Sequence, residues 1–381
     1  MLGTLRSSIL ALGVVLVGCS DGVTTPPTDA STSETAGDAR DSATSVDDTA
    51  AALDALDGGD APAAGACRTV SAWSTSAAFV DGSHTSHPLP SFARNGFFYV
   101  HTQAAGGTDR VLRAARTNAD GTLGAWFVAS PDHGGGPHGF TAIVADGEAY
   151  HFRNGHIARY GFDAGGKMTG DVTLLEKSAD SSFGGNRYVW DSAVYALFGD
   201  GNKRVVHLGG FSFTPYTYKP DVYGAALPMP SSFAATGKRH PADRPGRAAF
   251  FARATDGFVY TGESGGGRLW RARVTSGGAL DPWVSIGTLP AGTGNERGDF
   301  FLAGRTLFVV RGASVFAADV RDDGSLAAWT NMPKLPADQV DINWGDGHLE
   351  GASYGVTADA VYVTGPKVVF GARLSPRACA P

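Results

Sequence analysis

The chain has 381 residues, 43% of them hydrophobic and 18% charged, and its 31 basic against 37 acidic residues leave a net charge of −6. That length is ample for a sizeable core, and a chain without basic excess is a poor match for nucleic acid. Three cysteines are too few for a disulfide-dense scaffold.

Met1 to Gly18 holds one charge, Arg6, followed by the apolar run Ile9 to Val17. The run has the length of a signal-peptide core and is too short to span a bilayer as a helix. It closes on Leu16-Val17-Gly18-Cys19, which resembles the bacterial lipobox. The resemblance implies a signal peptide over 1–18, lipid attachment at Cys19 and a bacterial lipoprotein held to the cell envelope. Ser20, rather than Asp, after that cysteine favours the outer membrane, on a side that the sequence leaves open.

Residues 19–66 then form a linker. From Ser20 to Ala66 there is no aromatic residue, and ten acids stand against the single base Arg40. Such a segment buries too little apolar surface to offset its ordering entropy, so it reads as a solvated acidic spacer. Removing it and Arg6 leaves 29 bases and 27 acids in 67–381, a nearly neutral domain.

That domain repeats itself. Arg110 to Arg116 precedes Asp120-Gly121-Thr122-Leu123-Gly124-Ala125-Trp126, and Ser314 to Val320 precedes Asp323-Gly324-Ser325-Leu326-Ala327-Ala328-Trp329. A third copy runs Arg268 to Val274 and then Gly277 to Trp283. Upstream of each lies another alternating pair, best seen in Ala248–Arg253 and Phe258–Gly262 around Asp256-Gly257. The unit is four antiparallel strands at a spacing of roughly 45 to 55 residues, the period of a propeller blade. Weaker copies begin at Phe140 and at Arg187, the latter read as strands 187–191, 194–199 and 204–208.

The last copy supplies three strands, 351–356, 360–365 and 367–374, and lacks the strand that ends in Trp. Arg68 to Trp73, at the other end of the domain, has that form. The expectation is therefore an all-β, six-bladed β-propeller of four-stranded antiparallel blades, closed by the N-terminal strand completing the last blade. The same arrangement brings Cys67 beside Cys379, and in an oxidising compartment that remaining pair reads as a disulfide.

The aromatic strand, the Asp-Gly-x-Leu-x-x-Trp unit and the following Leu-Pro resemble the kelch-type, galactose-oxidase-like propeller family. The residues that carry this are Tyr99-Val100, Trp126, Tyr260, Trp283 with Leu289-Pro290, Trp329 with Leu335-Pro336, and Tyr362-Val363. The double glycine typical of kelch repeats is mostly lost, so the domain is a diverged relative. Galactose-oxidase chemistry is not carried over, because no cysteine remains for its crosslink to tyrosine. No Ser-x-Asp-x-Gly-x-x-Trp box of the sialidases is present either.

Candidate chemistry gathers in the loops that would join one blade to the next, approximately 81–92, 130–139, 177–187, 227–247, 287–298 and 332–351. Six of the ten histidines fall there: His84, His87, His133, His138, His240 and His348. His84, His87, His133 and His138 are the metal candidates, since neutral imidazole is a common ligand. Arg187, Arg247 and Arg297 offer bidentate donors for a carboxylate or phosphate, and Trp344 offers a face for stacking on a sugar ring. With His138 and His240 these make the candidate binding set.

No catalytic grouping is recognisable, so the expected role is a non-catalytic module that binds a glycan or an envelope protein. No cofactor is expected, with a metal left open. The alternative is a metal-dependent or sialidase-like propeller enzyme.

Overall fold

The computed structural model describes residues 66–79, 84–85, 91–104, 110–130, 141–145, 148–153, 156–175, 195–198, 204–208, 211–213, 216–218, 221–226, 234–239, 250–252, 258–262, 268–273, 280–290, 298–336, 354–365 and 367–380. The chain divides into Met1–Ala50 and Ala51–Pro381, and the described residues belong to the second unit.

Those residues form an all-β fold of antiparallel sheets with the architecture of a β-propeller, each sheet built largely from strands consecutive in the chain. Sheet I holds Ser91–Arg94, Phe97–Ala104, Arg110–Arg116 and Phe127–Ser130, and sheet II holds Thr141–Ala145, Glu148–Arg153, His156–Phe162 and Met168–Leu175. Sheet III holds Tyr195–Phe198, Arg204–Leu208, Asp221–Ala226 and Ala234–Arg239. Sheet IV holds Phe250–Ala252, Phe258–Gly262, Arg268–Arg273 and Val284–Thr288. Sheet V holds Gly298–Ala303, Thr306–Arg311, Ser314–Asp319 and Thr330–Asn331. Sheet VI holds Tyr354–Val356, Ala360–Thr364 and Val369–Arg377, and its fourth strand is Cys67–Val70, paired Cys67 with Arg377 through Val70 with Leu374.

Sheet III departs from the sequence reading. Its first described strand is Tyr195–Phe198, and the segment read as a preceding strand, 187–191, lies outside the described residues. A two-stranded ribbon, Phe211–Phe213 with Tyr216–Tyr218, is inserted between its second and third strands. The expected loop 227–247 is correspondingly shorter, because Ala234–Arg239 is the fourth strand.

Second strands are apolar on both faces. Phe98, Tyr99 and Val100, Val259 and Tyr260, and Leu307, Phe308 and Val309 are each at most 1% exposed. A strand with a neighbouring sheet on either face has no solvated side on which to alternate. The cores accordingly lie between sheets. One joins Phe258, Tyr260 and Leu269 of sheet IV to Leu302, Leu307 and Val309 of sheet V, and another joins Phe98 and Val100 of sheet I to Tyr362 and Val369 of sheet VI.

Buried tyrosines need a partner for their hydroxyls, and here the partner is the next sheet. Tyr99 donates to Gly166 O at 3.2 Å, Tyr260 to Gly324 O at 3.0 Å and Tyr362 to Asn118 O at 3.2 Å. Each acceptor lies in the turn joining the third and fourth strands of the neighbouring sheet. Asp120 and Asp323 brace two of these turns by accepting the backbone N–H groups of Thr122 and Ser325. The strand-end tryptophans reach back the other way: Trp126 Nε1 donates to Ala77 O at 3.0 Å, Trp329 to Thr288 O at 3.2 Å and Trp73 to Pro333 O at 2.8 Å. Each adjoining pair VI–I and IV–V is thus latched in both directions.

The pair V–VI has only half of this device. Phe308 stands where the tyrosines stand and has no hydroxyl. Sheet VI in turn has no turn between third and fourth strands, because its fourth strand comes from the other end of the domain. A clasp occupies that place. Cys67 and Cys379 form a disulfide with Sγ atoms 2.04 Å apart. Asp319, 2% exposed, accepts from Arg377 Nη1 at 2.7 Å, from the Ala380 N–H at 2.7 Å and from Thr306 Oγ1 at 3.1 Å. Thr306 Oγ1 also accepts from the Arg68 N–H at 2.8 Å, and Arg305 N–H donates to Ala66 O at 3.0 Å. Burial pushes the Asp319 carboxyl up; the hydrogen bonds from Arg377 and Ala380 and the Arg377 charge outweigh it and hold it below the ordinary carboxylate value.

Two outcomes follow from this frame. A group with a depressed native pKa contributes its stability above the unfolded-state value, near pH 4, and loses it as pH falls through the native value. Denaturant midpoints of the wild type should therefore fall steeply below about pH 4, whereas Asp319→Asn, weaker by about 3 kcal/mol at pH 7, should show a flatter acid limb. At the VI–I contact, a Cβ on Gly371 would stand 1.9 Å from Gly121 O. Gly371→Ala should therefore cost about 3 kcal/mol in urea unfolding, because two backbones must part.

Candidate functional site

The strands fix where each inter-sheet connection leaves and returns. In sheet V the chain enters at Gly298, turns at Gly304-Arg305, returns to Arg311, descends to Asp319 and climbs again to Leu335-Pro336. One end of the sheet is therefore made of short turns, and the other carries the connections to its neighbours. The Leu-Pro pairs mark the departures at that second end. Leu335, 2% exposed, donates its N–H to Ala313 O at 2.9 Å, and the buried guanidinium of Arg311 donates through Nη1 to Pro290 O at 2.7 Å. Thr364 Oγ1 donates to Ser91 Oγ at 2.8 Å, tying the first strand of sheet I to sheet VI; both residues are buried.

The binding candidates His138, Arg187, His240, Arg247, Arg297 and Trp344 lie outside the described residues, as do His87, His133 and Cys19. His84 opens a two-residue strand paired with Gln103 and Ala104. A further histidine, His101, is 1% exposed with Nε2 3.4 Å from the Tyr160 hydroxyl, so it belongs to the packing between sheets I and II.

Among the described residues, one group of potential metal ligands comes together, Cys67, Asp319 and Cys379. Its sulfurs are bonded to each other and its carboxylate is engaged by Arg377, which makes it a structural clasp.

A cleft opens at the turn end, between sheets IV and V. It has a volume of about 390 Å³, and Phe258, Arg271, Arg273, Asp281, Asp322 and Asp323 contribute to its lining. Asp322 pairs with Arg305 at 2.6 Å. Hydrogen bonds from Ser325, and the charges of Arg271 and Arg321, hold Asp323 below the ordinary carboxylate range. Phe258 seats the turn above it: a Cβ on Gly324 would stand 2.8 Å from the Phe258 ring. Of the cleft residues, Asp323 and Asp281 fall within the repeated turn unit, whereas Arg271, Arg273 and Asp322 belong to no motif. The signal that finds them is the repeat itself, read as columns.

No family model matches the chain, and no curated protein matches it. Solved structures do resemble it. A streptogramin B lyase is similar at a TM-score of 0.45 with 10% identity, over 80% of this chain and 97% of that one. The PQQ-bound aldose sugar dehydrogenase from Streptomyces coelicolor is similar at 0.43 with 10% identity, over 82% and 100%. A protein described as a putative gluconolactonase is similar at 0.42 with 13% identity, over 84% and 97%. Likenesses of this depth concern the fold and assign no chemistry to this chain.

Proposed function

We propose that this protein is a lipid-anchored, extracytoplasmic β-propeller of six four-stranded blades that binds a glycan or an envelope protein, without catalysis, through the loops joining one blade to the next. The ring is supported by the first strands, which lie side by side from sheet to sheet, Tyr354–Val356 against Ser91–Arg94 included. Pairing of Cys67–Val70 with the last sheet supports its closure.

One observation carries the binding role. The chain enters the domain at the turn end, where Ala66 O accepts from Arg305 N–H, opposite the end from which the inter-sheet connections leave. A tether ending at Ala66 leaves the opposite end of the described sheets open to a ligand, and the candidates His138, Arg187, His240, Arg247, Arg297 and Trp344 belong, by sequence, to the connections between sheets. A rigid frame presenting variable loops at one end is a common way to build a recognition surface.

Two experiments test this reading. Replacing Cys19 by Ala should move the protein from the membrane fraction to the soluble extracytoplasmic fraction; retention in the membrane would remove the lipid anchor from the proposal. Joint substitution of Trp344, Arg187, Arg247 and Arg297 by Ala should weaken binding in a screen of glycans and envelope proteins by at least about 100-fold, the scale of two lost hot-spot contacts. Unchanged binding would exclude those residues as the site. Elemental analysis of protein purified without chelator separates the enzyme alternative, since a stoichiometric metal bound by the loop histidines would favour it.

A further inference from the structure

Aligned residue by residue, the sheets differ at one position of the third strand. The third-strand residues paired with Tyr99, Phe308 and Tyr362 are Ala114, Ala317 and Gly371. They are small where the next sheet closes over them; the Gly371 site leaves no room even for a Cβ. In two sheets the residue is an arginine instead: Arg159, paired with Tyr150 in sheet II, and Arg271, paired with Tyr260 in sheet IV.

The side chain of Arg271 is 17% exposed and runs along the cleft between sheets IV and V. Its guanidinium carbon stands 5.0 Å over the Phe258 ring, a stacked geometry that fixes the plane of the fork. Its Nε is buried with no hydrogen-bond partner. Its ion pair with Asp323 is 3.8 Å long, well beyond a charge-assisted hydrogen bond of about 2.8 Å. A buried guanidinium nitrogen without an acceptor is destabilising for the fold alone; the Nε atoms of Arg68, Arg113 and Arg311 share that state, and of these four residues Arg271 is the one that lines the cleft.

We propose that the cleft between sheets IV and V is a second binding site, for a small molecule whose carboxylate takes the open fork of Arg271. Asp281, Asp322 and Asp323 line the same cavity, so the ligand presents hydrogen-bond donors beside its carboxylate. An α-amino acid and a sugar acid share that chemistry. The site lies at the turn end and does not depend on the loops, so either site can fail without the other.

The experiment follows the Nε–H resonance of Arg271 in the full chain by nitrogen-edited NMR, with assignment from the Arg271→Met spectrum. Acetate, glycine and glucuronate are titrated in turn, with methyl glucuronate ester as the control that lacks the charge. Saturable shifts with glycine or glucuronate, about tenfold tighter than with acetate and absent with the ester, are expected. Arg271→Met should melt no lower than the wild type. Arg271→Lys, which keeps the charge and loses the fork, should bind about tenfold more weakly, and it serves as the second variant if the Met form does not fold. Absence of a saturable shift with all three acids, equal affinity for acetate, or unaltered affinity in Arg271→Lys would overturn the proposal.

Discussion

A sheet whose outer strand comes from the far end of the chain has no hairpin turn for its neighbour to grip. Elsewhere the grip is made by a buried tyrosine hydroxyl on a turn carbonyl, as in Tyr260 to Gly324 and Tyr362 to Asn118. In sheet VI the place of that turn is held by two chain ends, Cys67-Arg68 and Arg377 to Cys379, which are joined through the disulfide and through Asp319. The substitution pattern of the second strands follows from this. Where no turn carbonyl waits, Phe308 replaces tyrosine, and a phenolic hydroxyl buried there without an acceptor would cost about 1 to 3 kcal/mol. Thr306, in the column of Phe97 and Phe258, turns its hydroxyl to Asp319 and Arg68.

The clasp also explains why a charged cluster is tolerated in a core of this kind. Asp319 is almost fully buried, yet it is surrounded by donors that satisfy both oxygens, with Arg377 as a two-pronged counter-ion. Buried ion pairs of this sort add little net stability against an apolar replacement, and their use is to specify which surfaces meet. Here the surfaces are two segments more than 300 residues apart in sequence. The loss of chain entropy on bringing them together is the largest of any pairing in the fold, so the covalent and ionic contacts are concentrated where it falls.

Strand identity was legible from the sequence wherever the repeat kept its turn. Asp120-Gly121 and Asp323-Gly324 with their following Trp are fixed by local backbone chemistry, and they can be read one residue at a time. Sheet III keeps neither, and its inserted ribbon, Phe211–Phe213 with Tyr216–Tyr218, lengthens the spacing between its second and third strands beyond that of the other copies. The partners of Tyr99, Tyr260 and Tyr362 were not legible at all. Each hydroxyl bonds a backbone carbonyl of another sheet, and a carbonyl leaves no trace in residue identity. Arg271 is illegible for a related reason: an arginine in an exposed-looking strand is ordinary, and only the packing of its guanidinium against Phe258 in the cleft sets it apart.

The two ends of the domain therefore answer to different rules. At the loop end Leu289 and Leu335 are buried and anchor the departing chain. At the turn end the neighbouring sheet closes over Gly121, Gly166 and Gly324, so a side chain added at any of them must displace backbone or a packed ring. Arg271 stands at that end with Phe258 stacked against its guanidinium and its Nε without a hydrogen-bond partner, the two observations that support the second binding site.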